Sequence, residues 1–271
     1  MELNKSNYYS QAANLHYMSV SQFKSFVPSF GGCEAAAMAQ LRGEYERPHS
    51  EAFTEGHYVH AWNEGTLEEF KAKNPNLYSS RGETKGQLKS NFKHCNKMIE
   101  VLEQDPLVMK ALAGQKEVIM TAKLFGIPWK IMMDSYQPGI LFADLKAVKD
   151  IDSKFWNSEA QAYENFLDHY GYTIQMSVYA EIELRACWRK AEDWLLPHLV
   201  VVTKQDPPDH EVIYFDHDVI ASHLRIVENH IERVKAVKSG AEEPIRCEKC
   251  EYCRLTKKIG RIKHYAELAL Y

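Results

Sequence analysis

No stretch of the chain approaches the roughly 18 uninterrupted apolar residues that a membrane-spanning helix needs, so no such helix is expected. The opening residues, Met1-Glu2-Leu3-Asn4-Lys5-Ser6, are polar and lead into a tyrosine-rich stretch without an apolar signal core. A cytoplasmic location is therefore the expectation. Glycine (13) and proline (10) are sparse in 271 residues, and neither an internal repeat nor a low-complexity linker is present. Collagenous and disordered readings fall away. Cysteine, at six, is too thin for a disulfide-stapled mini-scaffold, and a chain of this length buries enough apolar surface to fold without staples. An excess of positive charge is also missing: 33 lysines and arginines stand against 37 aspartates and glutamates, a formal net charge of -4. The whole molecule does not attract nucleic acid, so phosphate binding must come from local patches or bound cations.

What is present is an ordinary globular composition, 45% hydrophobic and 26% charged, with a mean hydropathy of -0.44. The first part of the chain predicts short helices. Ser19 can cap a turn through Phe26, Pro28 breaks it, and Cys33 to Ala39 has strong helix propensity up to a stop at Gly43. A further helix is expected from Ser50 to Glu64, closed by Gly65, and another over about residues 87–104, ending near Pro106. At Lys116 the periodicity changes to that of strands. Residues 117–125, 129–134 and 140–148, joined by Gly126-Ile127-Pro128 and Gln137-Pro138-Gly139, predict an antiparallel three-stranded meander. Helical spacing returns from Asn165 to Arg189, with Gln175, Tyr179, Ile182 and Ala186 on one stripe. Strands are expected over residues 195–203 and 211–215, then a long amphipathic helix from Asp218 to Lys238. This order implies one α/β domain over residues 1–271: a helical part (1–110), a core (111–240) and a cysteine-rich basic tail (241–271).

One constellation carries chemistry. Asp134 ends the second strand of the meander, while Asp144 and Lys146 share one face of the third. Charges beside Ile140, Leu141 and Phe142 are costly unless they pair or bind a cation. A lone Asp-x-Lys in a strand reads most simply as a half-exposed salt bridge. Here it has company: Gln175 and Tyr179 lie one helical turn apart, and His60, in Gly56-His57-Tyr58-Val59-His60, brings an imidazole from an apolar helix.

In this order the residues resemble the PD-(D/E)XK nuclease superfamily, and within it the RecB-like and RecE-like exonucleases common in phages and prophages. The resemblance implies a restriction-endonuclease-like α/β core, a central mixed sheet flanked by helices, with an N-terminal helical extension and a cysteine-bearing tail. Asp134 matches the first acidic position, with Met133 where the family's proline would stand; Asp144-Leu145-Lys146 matches the (D/E)-x-K element; Gln175 and Tyr179 match the Gln-x-x-x-Tyr helix. By resemblance, His60, Asp134, Asp144 and the Leu145 carbonyl hold Mg²⁺ or Mn²⁺, and Glu117 matches an acidic residue of the first strand in some members. Lys146 would orient or activate water or stabilise the oxyanion, with Gln175 and Tyr179 positioning water or phosphate.

Three of the six cysteines fall in Cys247-Glu248-Lys249-Cys250-Glu251-Tyr252-Cys253, a spacing that lets three thiolates converge on one metal or cluster, with Cys33 as the candidate fourth ligand. The tail resembles that of iron-sulfur nucleases of the AddB type and of CRISPR adaptation, which implies a [4Fe-4S] cluster, with Zn²⁺ or no metal as the alternatives. Its departure is at Ile259, which stands six residues after Cys253 where those proteins carry a cysteine. Cys95 and Cys187 read as small core residues. Arg246, Lys249, Arg254, Lys257, Lys258, Arg261 and Lys263 make the tail basic, a solvated face or a track for a DNA backbone.

Together these features predict a metal-dependent DNA exonuclease acting on linear duplex or single-stranded ends in phage or prophage recombination or repair. A homo-oligomer and a single-strand annealing protein as partner follow from the resemblance alone. The alternative is a DNA- or partner-binding module on the same fold, without turnover and with a structural metal at the tail.

Overall fold

The computed structural model describes residues 1–48, 51–157 and 160–268. Local capping rules account for the first helices. Ser10 caps α1 (Gln11–His16), which the sequence reading does not anticipate, and Ser19 caps α2 (Val20–Phe26) through a bond from the Gln22 N–H to its hydroxyl. α3 (Glu34–Arg42) stops at Gly43, whose φ of 73° is left-handed. α4 (Glu51–Asn63) occupies the expected span, although Ser50 lies outside the described residues. The short α5 (Leu67–Lys73) follows. α6 (Ser90–Gln104) buries Phe92, Cys95, Met98, Ile99 and Leu102 on one stripe, and Asp105 then caps α7 (Pro106–Ala111), with proline at its first position.

The strands are β1 (Gln115–Leu124), β2 (Ile127–Gln137), β3 (Leu141–Val148), β4 (Phe155–Asn157), β5 (Ala162–Glu164), β6 (Pro197–Thr203) and β7 (His210–Tyr214). β1 and β2 pair antiparallel from Gln115↔Tyr136 to Leu124↔Ile127, with one gap at Glu117 and Asp134. β2 and β3 pair only at Ser135↔Ala143, Tyr136↔Phe142 and Gln137↔Leu141, so the expected meander is cut short. On its other edge β3 pairs in parallel with β6, from Phe142↔Pro197 to Val148↔Thr203, a ladder that continues past the point where β2 and β3 part, and β7 closes the edge antiparallel to β6. Among the described residues the result is a mixed sheet in the order β1-β2-β3-β6-β7, as the fold class predicts, beside a separate β4–β5 hairpin.

A parallel β3–β6 pair needs a crossover, and helices supply it. The single helix expected over residues 165–189 is two: α8 (Phe166–His169) and α9 (Tyr172–Ala186), broken at Gly171. Gly171 sits at φ 63°, and a Cβ there would come within 2.8 Å of Lys24 Cδ, so close packing against α2 demands glycine. α10 (His217–Ser239), capped by Asp216 and ended by Gly240, lies beside α9, and the short α11 (Glu251–Leu255) follows in the tail.

Both faces of the sheet are covered, which explains the near-continuous apolar runs of β3 and β6. On one face Trp129, Ile131, Met133, Leu199 and Val201 pack with Val178 and Ile182 of α9 and Val227 and Ile231 of α10. On the other, Ala143, Leu145, Val200 and Val202 meet Tyr58 and Val59 of α4 and Met98 and Leu102 of α6. Each fully buried side chain of this kind contributes roughly 1.5–3 kcal/mol. Among the described residues no helix is long and apolar enough to cross a membrane.

Candidate functional site

Where β2 and β3 part, each strand loses a neighbour, and polar groups fill the gap. In the β2–β3 register, Asp134 and Asp144 form the next pair beyond the last bonded one, Ser135↔Ala143. The orphaned Leu145 N–H donates to Asp134 Oδ2 at 2.7 Å, so one carboxylate satisfies the backbone of the departing strand. Asp134 Oδ1 lies 3.4 Å from His60 Nδ1, on α4. Gln175, on α9, donates its Nε2 to Asp144 Oδ1 at 2.7 Å. Lys146 Nζ lies 2.5 Å from Asp144 Oδ2, an ion pair without the alignment of a hydrogen bond, so this buried oxygen lacks a proper donor. Tyr179, one turn beyond Gln175, packs its ring 6.4 Å from that of Phe142. His60, Asp134, Asp144, Lys146, Gln175 and Tyr179 line a cleft of about 990 Å³.

The fold thus gathers His60, Asp134, Asp144, Leu145, Lys146, Gln175 and Tyr179 around one point. Glu117 stands at its margin, opposite Asp134 in the β1 register at a place where the ladder pair is not made, with a φ of 52° rare for a non-glycine residue. Its Oε2 pairs with Lys5 Nζ at 2.5 Å. His57 also lines the cleft and packs on Phe53, ring centroids 4.0 Å apart.

The electrostatics follow from burial and unequal partners. Burial alone would lower the pKa of His60, but Asp134, by charge and hydrogen bond, lifts it above the ordinary imidazole value. Burial would raise Asp134, and His60, Lys146 and the Leu145 N–H outweigh it and hold the carboxyl low. For Asp144 burial wins: with the nearby Asp134 charge it pushes the carboxyl up against the pull of Lys146. Lys146 would fall on burial, but Asp144 and Asp134 keep it protonated above the usual lysine range.

Among the cleft residues that escape the sequence reading are Glu64 and Lys24. Glu64, four residues after His60, is pushed up to about 7 by burial and then by the charge and hydrogen bond of Glu117. The His60-x-x-x-Glu64 spacing, which puts both on one helix face, was the available signal. Lys24, on α2, is lowered to about 8 by burial and then by Lys146. Its Nζ and that of Lys146 lie 5.8 and 5.6 Å from the centroid of the Tyr172 ring, and Lys24 also donates to the Tyr170 carbonyl at 2.7 Å. Nothing local in the sequence joins α2 to this cleft.

The donor set suits a divalent cation of the hard class. It offers carboxylate oxygens, one of them buried without an aligned donor, and one imidazole.

A second cluster lies at the other end of α3. Cys33, Cys247, Cys250 and Cys253 are free thiols whose Sγ atoms all lie within 4.8 Å of one another, an arrangement able to coordinate a metal. Cys33 is thus brought to the three late cysteines. Cys95 is buried as expected, whereas Cys187 is exposed at the end of α9, its sulfur 3.5 Å from the Tyr136 hydroxyl. Of the basic tail, Arg246 pairs with Glu248 and Arg261 with Glu267, Arg254 donates to the Lys249 carbonyl, and Lys257 and Lys258 are exposed.

A mixed sheet whose strands part at two aspartates, with a lysine two residues on, defines a PD-(D/E)XK-like fold. Residues 19–256 match the family described as a PDDEXK-like domain of unknown function (DUF3799), and the chain belongs to that family. It is similar to a crystal structure described as "Putative exonuclease" from Eubacterium rectale: 39% identical, TM-score 0.91, covering 99% of this chain and 98% of that one. The structure of SSO0001 is far more distant, 13% identical with a TM-score of 0.26 over 72% of this chain and 82% of that one. No curated protein matches.

Proposed function

We propose that the protein is a divalent-metal-dependent deoxyribonuclease that hydrolyses phosphodiester bonds from the ends of linear DNA. The observation that carries this reading is the Asp144–Lys146 pair beside Asp134, where β3 leaves β2: a buried carboxylate oxygen with no aligned donor is held at a cleft next to a protonated lysine. The similarity to the Eubacterium rectale protein supports the exonuclease class.

In this reading His60, Asp134, Asp144 and the Leu145 carbonyl hold Mg²⁺ or Mn²⁺, with Glu117 at the margin. When bound, such a cation polarises the phosphoryl oxygen and lowers the pKa of water. Lys146, kept charged by two carboxylates, is a donor and not a base: it stabilises negative charge growing on the phosphoryl oxygens and orients the attacking water. Gln175 fixes the Asp144 carboxylate through Oδ1, leaving Oδ2 toward the lysine. Tyr179, kept protonated by burial and by nearby acidic groups, presents a hydroxyl donor to phosphate or water. Lys24 adds a second cationic group beside Tyr172.

The same reading takes residues 1–271 as one catalytic domain, located in the cytoplasm, acting on linear duplex or single-stranded ends in phage-type recombination or repair. A single-strand annealing protein and a second copy of the chain are its proposed partners. The test is digestion of linear and closed-circular duplex DNA with Mg²⁺ or Mn²⁺, with the Asp144→Ala protein alongside. Loss of the linear form alone, absent in the variant, is the expected result. Intact DNA of both forms would move the protein to the non-catalytic binding reading.

A further inference from the structure

The four cysteines have a size as well as a composition, and the size selects the metal. Cys33 Sγ lies 3.6 Å from Cys253 Sγ, Cys247 Sγ lies 3.9 Å from Cys253 Sγ, and no pair among the four exceeds 4.8 Å. A tetrahedral zinc with Zn–S bonds of about 2.3 Å places its sulfurs about 3.8 Å apart. A [4Fe-4S] cube binds each cysteine at a different corner and needs its sulfurs roughly 6 Å apart, each moved outward by more than about 1 Å. The cluster implied by the tail's resemblance to iron-sulfur nucleases therefore does not fit this donor set. We infer that Cys33, Cys247, Cys250 and Cys253 form a tetrahedral structural zinc site that fastens the C-terminal tail to the start of α3.

The surroundings suit a structural site. Cys33 and Cys253 are 5% and 0% exposed and pack against Ala35 and Ala36, while Cys247 and Cys250 are half-buried. Backbone N–H groups already point at the sulfurs: Cys247 N to Cys33 Sγ at 3.4 Å, Cys250 N to Cys247 Sγ at 3.2 Å and Cys253 N to Cys250 Sγ at 3.4 Å. Such donors stabilise thiolates, and the thiol protons leave to solvent as zinc binds, with no change of oxidation state.

The site joins residues 220 apart in sequence, and it is not the sole fastening there. Glu34, next to Cys33, accepts two bonds from Arg233 of α10, at 2.9 and 2.6 Å, and one from the Ile245 N–H at 2.7 Å. The Ala35 N–H donates back to the Ile245 carbonyl at 3.2 Å. α3 thus receives α10 and the tail on its first turn, while Ala37, Gln40 and Leu41 further along it line the cleft. Zinc steadies one cleft wall from outside.

The test uses the full-length protein, produced with both iron and zinc supplied and purified without oxygen so that a cluster would survive. Metal analysis should find about one zinc per chain, negligible iron and no visible iron–sulfur absorption. Replacement by Co²⁺ should give the intense red-region bands of tetrahedral cobalt thiolate, and Cys250→Ser should abolish them. Chelation of the wild-type protein should lower Tm by more than about 5 °C, reversed by zinc. Iron with acid-labile sulfide, or a chain that carries no metal and melts unchanged with chelator, would overturn the inference. Asp144→Ala should retain its zinc, so failure of DNA cleavage and failure of the zinc site are read separately.

Discussion

In the cleft, Asp134 and Asp144 face His60, Lys146 and Lys24, and one aspartate is raised while its neighbour is held low. In the cysteine cluster, sulfurs accept backbone N–H bonds and pack with Ala35 and Ala36. Both are knots of potential ligands at places where a helix meets another element, yet one lines an open cleft while the other is packed among small side chains. The difference matches the roles proposed for them. A catalytic centre keeps unspent electrostatic energy to be released on substrate and cation, whereas a fastening spends everything on holding the fold.

The comparison is broken most directly by Asp144→Asn. Cleavage should fall by about 10³-fold or more, as for loss of a metal-holding group, while Tm holds or rises because an unfavourable buried charge is gone. A variant that loses both together would mean that the cleft is structural. Lys146→Ala should likewise fold and lose nearly all turnover, read by circular dichroism beside the digestion assay.

The opposite pattern is expected from Cys253→Ser. Its sulfur is fully buried among the other three, so the variant should melt many degrees lower while its residual cleavage, measured well below that Tm, stays within a few-fold of wild type. Glu34→Gln should reproduce this in miniature, with a drop of a few degrees, because the Arg233 and Ile245 contacts weaken while the metal ligands remain.

Gly171→Ala probes a region between the two. At φ 63° the alanine is strained by about 1 kcal/mol, and its Cβ meets Lys24 Cδ at 2.8 Å. Stability should fall modestly, by denaturant titration, and DNA binding should weaken if Lys24 contributes to the cleft.

The smallest effect is a pH dependence remote from both sites. Burial pushes His223 down, but Asp168 and the Val219 carbonyl outweigh it and raise its pKa above the ordinary 6.5. The link from α10 to α8 therefore stabilises fully below about pH 6.5 and fades as pH climbs through the raised value. With Asp168 partly exposed, about 0.5 kcal/mol is at stake. Melts of wild type and His223→Gln should differ near pH 5.5 and converge toward pH 8; a gap constant with pH would rule the linkage out.

Much of the cleft was legible because its chemistry depends on side-chain type and short spacing. Asp144-x-Lys146 and Gln175-x-x-x-Tyr179 each lie on one element, where a period of two or of about four decides the facing. The parting of β2 and β3 was not legible, since nothing in the strand sequences says how far the ladder runs; it ends at Ser135↔Ala143, while on its other edge β3 stays paired with β6 through Val148. Gly171 reads as helix in the sequence because an isolated glycine does not break a periodic pattern; in the fold its φ is left-handed, and Lys24, 147 positions earlier, packs where its Cβ would stand. Lys24 reaches the cleft, and Lys5 reaches Glu117 at its margin, from segments whose own sequences carry no such instruction.

Local physics in the chain alone thus settled element type, the core-facing stripes, the ligand chemistry of the cleft and the thiol supply of the tail. Assembly settled the rest: which strands part, which carboxylate is held low, and the spacing of four sulfurs. Those are properties of distance and burial between residues far apart in sequence, and distance and burial exist only once the sheet has closed against its helices.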